Sequence, residues 1–253
     1  MPGTGYQPLE IISADNQQEP TEAEKFRQAA TEGSLVDEVI CLTALDTGMR
    51  AGEISHMVED WLNWRHDTLE IDVQQYEKCR LGSSNHDTTK RDEPCWYCRT
   101  RAHKNFLPPK NKLPDDGDCW HPKSEAGYKG RQIPIPDSHT ADILSTYFRV
   151  YDAIGSAQQV RGAIRRTAKR AGIHETEVVV DKNGKKKELH WPTTHDLRDT
   201  YGTKLAEMDF TRDEIRSAMG HAFIDQADDY VELSGRGAAK TFDNKYDRDK
   251  LDG

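Results

Sequence analysis

No apolar run in the 253-residue chain reaches the roughly eighteen to twenty residues that a bilayer-spanning helix needs. The first residues, Met1-Pro2-Gly3-Thr4-Gly5, lack the basic and apolar stretches of a secretory leader. No membrane partner is therefore expected, and the expected compartment is the cytoplasm. Positive charge is not in excess: 35 Lys and Arg face 44 Asp and Glu, for a formal net charge of -9. That balance argues against a nucleic-acid binder on net charge, since such binding rests largely on phosphate neutralisation, but the distribution of charge matters more than its sum. Cysteine is scarce, with five in the chain, and a disulfide framework is not expected in a reducing compartment. Internal repeats are absent, which excludes a solenoid. Aromatic residues make up only 8% and mean hydropathy is -0.88, yet a hydrophobic fraction of 35% still permits one sizeable core.

What the chain has is punctuation. Residues 1–20 carry Pro, Gly, Asn and Gln with little periodicity and read as a loose arm. Thr21 with Glu24 makes a capping box for a helix to about Thr31, and Ser34 opens a second helix ending near Gly48. Trp61 to Arg65 and Thr68 to Val73 predict a hairpin turning at His66-Asp67. Residues 74–120 are poorly periodic, charged and rich in proline, and read as an insertion. Regularity returns with a strand over Arg131 to Pro136 and helices near 138–153 and 156–171. Asn183-Gly184 is a hairpin signal between Val178 to Asp181 and Lys187 to Trp191. Three more helices follow. One runs from Thr194 to Met208 with a stripe of Leu197, Tyr201, Leu205 and Met208; one is boxed by Thr211 and Glu214; the last, from Ile224 to Leu233, bears Tyr230. The residues from 234 to 253 form a polar tail.

Basic residues gather locally despite the net charge. They lie at Arg161, Arg165, Arg166, Lys169 and Arg170, at Lys182, Lys185, Lys186 and Lys187, and from Arg99 to Lys112. Either phosphate contact or a solvated surface accounts for such stripes.

Chemistry concentrates near the C-terminus. His195-Asp196-Leu197-Arg198 puts His195 and Arg198 on one helix face. Gly220-His221 lies twenty-three residues beyond Arg198, and Tyr230 nine further on. Upstream, Thr47-Gly48-Met49-Arg50-Ala51-Gly52-Glu53 places a second arginine at a helix junction. Each residue alone has an ordinary use: Arg50 as the ion-pair partner of Glu53, Tyr230 as a packing residue, His195 as a helix-start hydrogen bonder. Together they suit phosphodiester chemistry. A guanidinium offers a planar fork of donors that matches phosphate oxygens and keeps its charge, and a positioned phenol can form a covalent intermediate.

The cysteines offer a second constellation. Cys95-Trp96-Tyr97-Cys98 is a metal half-site, with Cys79 sixteen residues before it. Cys79, Cys95 and Cys98 with His103 as the fourth ligand would hold a structural zinc. His86, Cys119 and His121 are also near, no second paired half-site exists, and reduced free thiols are the competing account. Cys41 lies within an apolar helix and belongs to the core.

Taken in order, Thr47-Gly48-Met49-Arg50-Ala51-Gly52-Glu53-Ile54, His195-Asp196-Leu197-Arg198, Met219-Gly220-His221 and Tyr230 resemble the signature of tyrosine recombinases, the phage integrase type of enzyme. The insertion, with Trp120-His121-Pro122-Lys123-Ser124-Glu125-Ala126-Gly127, resembles integrases of halophilic archaea and their viruses. The resemblance implies an α+β fold, mainly α-helical, with a small antiparallel β-sheet at one edge, and a catalytic domain over residues 21–233. It implies that Tyr230 attacks a scissile phosphate to give a 3'-phosphotyrosyl enzyme, with no metal or nucleotide needed. Arg50 and Arg198 would clamp the phosphate, His221 would donate to it, His195 would orient or deprotonate Tyr230, and Glu53 would hold Arg50. A hairpin lysine would protonate the leaving oxygen, with Lys123 the first choice and Lys129 the second. The partners implied are double-stranded DNA and further copies of the chain, from dimer to tetramer. The family's N-terminal helical clamp is expected to be missing, as in a fragment or a minimal enzyme. Two other readings stand beside this one: a type IB topoisomerase-like relaxing enzyme, and a catalytically inactive zinc-containing DNA-binding regulator.

Overall fold

The structure, a computed structural model, describes residues 7–11, 19–73, 77–79, 95, 98, 119–120, 131–180 and 184–220. Helix α1 (Glu22–Thr31) begins at the Thr21 capping box, where Thr21 accepts from Glu24 N–H and Glu24 accepts from Thr21 N–H at 2.8 Å. Helix α2 (Leu35–Thr47) is capped by Ser34 and stopped by Gly48 in the left-handed region. Every α2 residue from Val39 to Thr47 is buried, as befits a helix enclosed on all sides. Helix α3 (Ala51–His56) follows at once, and a 3-10 turn (Glu59–Trp61) leads into β1 (Leu62–Arg65) and β2 (Thr68–Val73). The short pair β3 (Glu77–Lys78) and β4 (Cys119–Trp120) is antiparallel. Next come β5 (Arg131–Ile135), α4 (Ser138–Phe148), α5 (Ala157–Arg170), the hairpin β6 (Glu175–Val180) and β7 (Lys186–Trp191), α6 (Thr194–Glu207) and α7 (Arg212–Met219).

The architecture is a helical layer around α2 with antiparallel sheet at its edge. α1, α4, α5 and α6 all pack on α2. The main sheet has the order β1-β2-β5, with Leu69 opposite Ile135 and Ile71 opposite Ile133. Those four side chains are buried, so the alternation along β2 and β5 turns one face to the core. Polar pins fix the helices around α2. Buried Asp46 receives Arg27 of α1 and, at 2.8 Å, Thr140 Oγ1 of α4, and Asp37 takes Arg166 of α5 at 2.5 and 3.0 Å. Cys41 is a core thiol as expected, and burial pushes it up to about 12, so it stays neutral. A smaller apolar cluster of Tyr201, Leu205, Ala206, Ile215 and Met219 joins α6 to α7.

Several details differ from the sequence expectations. Trp61 closes the 3-10 turn and is wholly buried, and the strand starts one residue later. α4 stops at Phe148, short of 153, with Tyr147 Oη donating to Ala153 O at 3.1 Å across the turn that follows. Met208 does not complete the α6 stripe: it is the C-cap and is 56% exposed. A loose arm does not describe residues 7–11, which lie along α6. Gln7 N–H donates to Asp196 Oδ1 and Leu9 N–H to Thr200 Oγ1, both at 2.8 Å, and Leu9 enters the core. The extended segment satisfies its backbone through polar side chains, and this needs no periodicity of its own. The helix expected over 224–233 and the tail beyond it lie outside the described residues. Among the described residues, no helix is long and apolar enough to cross a membrane.

Truncating the buried anchor of the N-terminal segment, Leu9→Ala, should cost about 2–5 kcal/mol, the range for emptying a leucine site. Urea denaturation checks this, and an unchanged midpoint would show that the segment does not contribute to the core.

Candidate active site and cysteine cluster

The arginines meet where two helices end. Gly48 ends α2 at φ 58° and Gly220 ends α7 at φ 60°, both left-handed conformations that favour glycine. At Gly48 space also forbids a side chain, since a Cβ would stand 2.6 Å from Tyr201 Cδ1. The carbonyls exposed by these endings are the anchors. Arg198, on α6 and only 3% exposed, donates one Nη to Gly48 O and the other to Met219 O. Arg131, the first residue of β5, also donates to Met219 O, at 3.0 Å. Carbonyls at helix C-termini carry partial negative charge and suit guanidinium groups.

Glu53 closes the arrangement. Its carboxylate is buried, accepts Arg50 N–H at 2.7 Å, and pairs with Arg50 Nη1 at 3.4 Å and Arg131 Nη2 at 2.7 Å. Burial alone would raise this carboxyl, but Arg131, Arg50 and Arg198 together hold it below its ordinary value. Arg50 precedes α3 and keeps 23% of its side chain exposed. His195 is exposed in the first turn of α6, one turn before Arg198. The box that opens this helix has Asp196 accepting from Thr193 N–H at 2.7 Å and from its hydroxyl at 2.6 Å.

Of the residues singled out from sequence, the structure thus gathers Arg50, Glu53 and Arg198 in one charged cluster and puts His195 on the helix that carries Arg198. Lys123, Lys129, His221 and Tyr230 lie outside the described residues. Arg131 was not singled out. The only trace it leaves in sequence is an arginine opening a strand, and its pairing with Glu53 spans 78 residues. Two members of the basic stripe on α5 have protein partners while remaining exposed: Arg166 pairs with Asp37, and Arg170 donates to Ala29 O at 2.9 Å and to Thr167 at 3.1 Å. Arg161, Arg165 and Lys169 are exposed.

A second cluster lies at the other end of α3. His56, Cys79, Cys95 and Cys98 bring one donor atom each to within 4.8 Å of one another. His56 Nε2 faces Cys98 Sγ at 3.4 Å and Cys95 Sγ at 3.7 Å, and Cys95 N–H donates to Cys79 Sγ at 3.3 Å. Cys79 and Cys98 are buried and unoxidised. Burial disfavours charge on His56, but hydrogen bonding with Cys79 and Cys95 outweighs it and pushes the imidazole up to about 9. The three expected cysteines are therefore together. The expected fourth member, His103, lies outside the described residues, and the described fourth member is His56. Linear spacing gives no sign of it, for it stands twenty-three residues before Cys79 on a different element.

No family model matches the sequence, and no curated protein matches it. Solved structures do. The fold is similar to XerA recombinase, at 17% identity and a TM-score of 0.53 over 95% of this chain and 66% of that one. It is similar to the XerH site-specific recombinase bound to palindromic difH substrate, at 14% identity and a TM-score of 0.51 over 90% and 52%. It is also similar to the Tn1549 transposon integrase in complex with a circular intermediate DNA, at 13% identity and a TM-score of 0.50 over 92% and 68%. At these identities the likeness is one of fold: mainly helical with small antiparallel sheets, as in the catalytic domain of tyrosine recombinases. The chain spans between about half and two thirds of the length of the first two neighbours.

Glu53→Gln should cost about 3–5 kcal/mol at neutral pH, because it leaves buried guanidiniums without their counter-charge. The carboxyl is depressed in the fold, so its contribution is present above its ordinary value of 4.5 and is lost as pH falls through the lower folded value. Denaturant titrations of both proteins should therefore show a gap at pH 7 that closes on acidification below 4.5. A gap independent of pH would assign the loss to packing.

Proposed function

We propose that the chain carries the catalytic domain of a site-specific recombinase, an integrase that cuts and rejoins double-stranded DNA through a 3'-phosphotyrosyl intermediate. The observation that carries this is the joint anchoring of Arg50 and Arg198 about one buried carboxylate and two helix ends, in a fold shared with recombinases. Two guanidiniums held in place before substrate arrives suit a phosphate whose charge grows in the transition state, since no reorganisation is needed as the reaction proceeds.

In this reading the Tyr230 phenol oxygen forms a bond to phosphorus as the bond to the 5'-oxygen breaks. The phenol proton passes to His195, and the leaving 5'-oxygen takes a proton from Lys123. Arg50, Arg198 and His221 bind the nonbridging oxygens. The phosphotyrosyl bond keeps the energy of the broken one, so a 5'-hydroxyl from a partner strand reverses the step and exchanges strands. Catalysis requires no metal or nucleotide. The acting form is an assembly of two to four copies on DNA, and the setting is the cytoplasm of an archaeal cell, the host's if the chain is virus-encoded, where the reaction integrates a viral genome.

Tyr230→Phe should bind the same duplex as the parent chain yet form no covalent adduct on a nicked half-site substrate, where the parent accumulates one. Denaturing gels read the adduct, and adduct formation by the variant would overturn the proposal. A plasmid bearing one site and a pair bearing two separate the neighbouring chemistries: recombinant product requires strand exchange, whereas relaxation alone would assign a topoisomerase. Binding without cleavage by the parent chain would assign a DNA-binding regulator.

A further inference from the structure

We infer that His56, Cys79, Cys95 and Cys98 form a tetrahedral zinc site, with His56 as the fourth ligand, that fastens the insertion to helix α3. The distances are those of a coordination shell. With Zn–S about 2.3 Å and Zn–N about 2.0–2.1 Å at tetrahedral angles, a sulfur-to-nitrogen edge is about 3.6 Å and a sulfur-to-sulfur edge about 3.8 Å. His56 Nε2 stands 3.4 and 3.7 Å from the sulfurs of Cys98 and Cys95, and all four donor atoms lie within 4.8 Å of each other. Three thiol sulfurs and an imidazole, gathered without a disulfide, are a soft donor set that selects zinc over magnesium or calcium.

The second observation is the orientation of the ring. His56 Nδ1 lies 2.7 Å from Gly52 O, one turn earlier in α3. A carbonyl only accepts, so Nδ1 keeps its proton in either charge state, and Nε2 is the atom that faces the thiols and gives up its own proton when a metal binds. Metal-binding histidines are fixed in this way by an outer carbonyl or carboxylate. Ser55 Oγ, itself 3.0 Å from Gly52 O, sits 3.0 Å from the same nitrogen and completes the support.

The placement gives the ion its task. α3 has six residues, too few to persist through its own hydrogen bonds. Its first end carries Arg50 and Glu53, and its last residue is His56. Cys79 directly follows β3, which is paired with β4 on the far side of the insertion. Ligation therefore links two parts of a polar segment, Cys79 and the Cys95–Cys98 pair, to the end of the arginine-bearing helix. Each thiol gives its proton to solvent on binding, so uptake releases protons and weakens as pH falls. The site does not depend on the recombinase proposal, and every readout below is made without DNA.

Chain purified under reducing conditions should contain about one zinc by elemental analysis, and cobalt exchange should give thiolate charge-transfer and tetrahedral ligand-field bands. His56→Ala should lower zinc affinity in a chelator competition by at least about a hundredfold, beyond the 10–100-fold that loss of an outer partner costs. His56→Cys should keep one zinc and gain charge-transfer intensity from a fourth thiolate, a test that holds even if the alanine variant fails to fold. His103→Ala should leave zinc content and cobalt bands unchanged. Loss of metal in His103→Ala with retention in His56→Ala would overturn the assignment. So would iron in place of zinc, or a metal-free chain with a disulfide among Cys79, Cys95 and Cys98.

Discussion

The arrangement of the candidate site depends on one buried carboxylate. Glu53 sits on a helix of six residues and compensates charge from α6, from β5 and from the junction before α3. A carboxylate taken out of water is costly unless paired and hydrogen-bonded. Here the cost is offset by Arg131 at 2.7 Å, by Arg50 and by a backbone N–H. The same carboxylate makes it affordable to bury Arg198 almost completely. Elements far apart in sequence are thereby held in one geometry by paired charge.

Helix ends supply the remaining constraint. α2 is enclosed by its neighbours and cannot tilt without disturbing the core, so the Gly48 carbonyl at its end is a fixed point. α7 is held to α6 by the small cluster around Tyr201 and Met219 and offers the second fixed carbonyl. Tyr201 serves both: it packs in the α6–α7 contact and occupies the space a Gly48 side chain would need. The sequence Thr47-Gly48-Met49-Arg50 thus reads as a helix stop, a carbonyl offered to one arginine, and the start of the segment that positions another.

The helices were legible because their starts are written locally. Thr21 with Glu24, Ser34, and Thr211 with Glu214 each place a cap within four residues, and the structure puts the helix starts there. Arg50, Glu53 and Arg198 were marked by type and order. What could not be read were the partnerships between distant elements. Arg131 joins Glu53 across 78 residues, and His56 faces Cys98 across 42. Neither has a spacing rule, since the separation is set by how the sheet and α3 pack and not by the period of any element. The segment at 7–11 escaped for a related reason: its order comes from Asp196 and Thr200 on another element. Met208 shows the opposite failure, for a stripe of the right period ran one residue past the helix end.

The proposed recombinase chemistry turns on which atom attacks the phosphate. The chain has nine tyrosines, and a covalent complex with a nicked duplex, digested with protease and nuclease, reports the attachment point by mass spectrometry. The expected product is a nucleotide-bearing peptide that contains Tyr230 and no other modified tyrosine. Attachment at any other residue, or no covalent complex on any duplex that the chain binds, would contradict it.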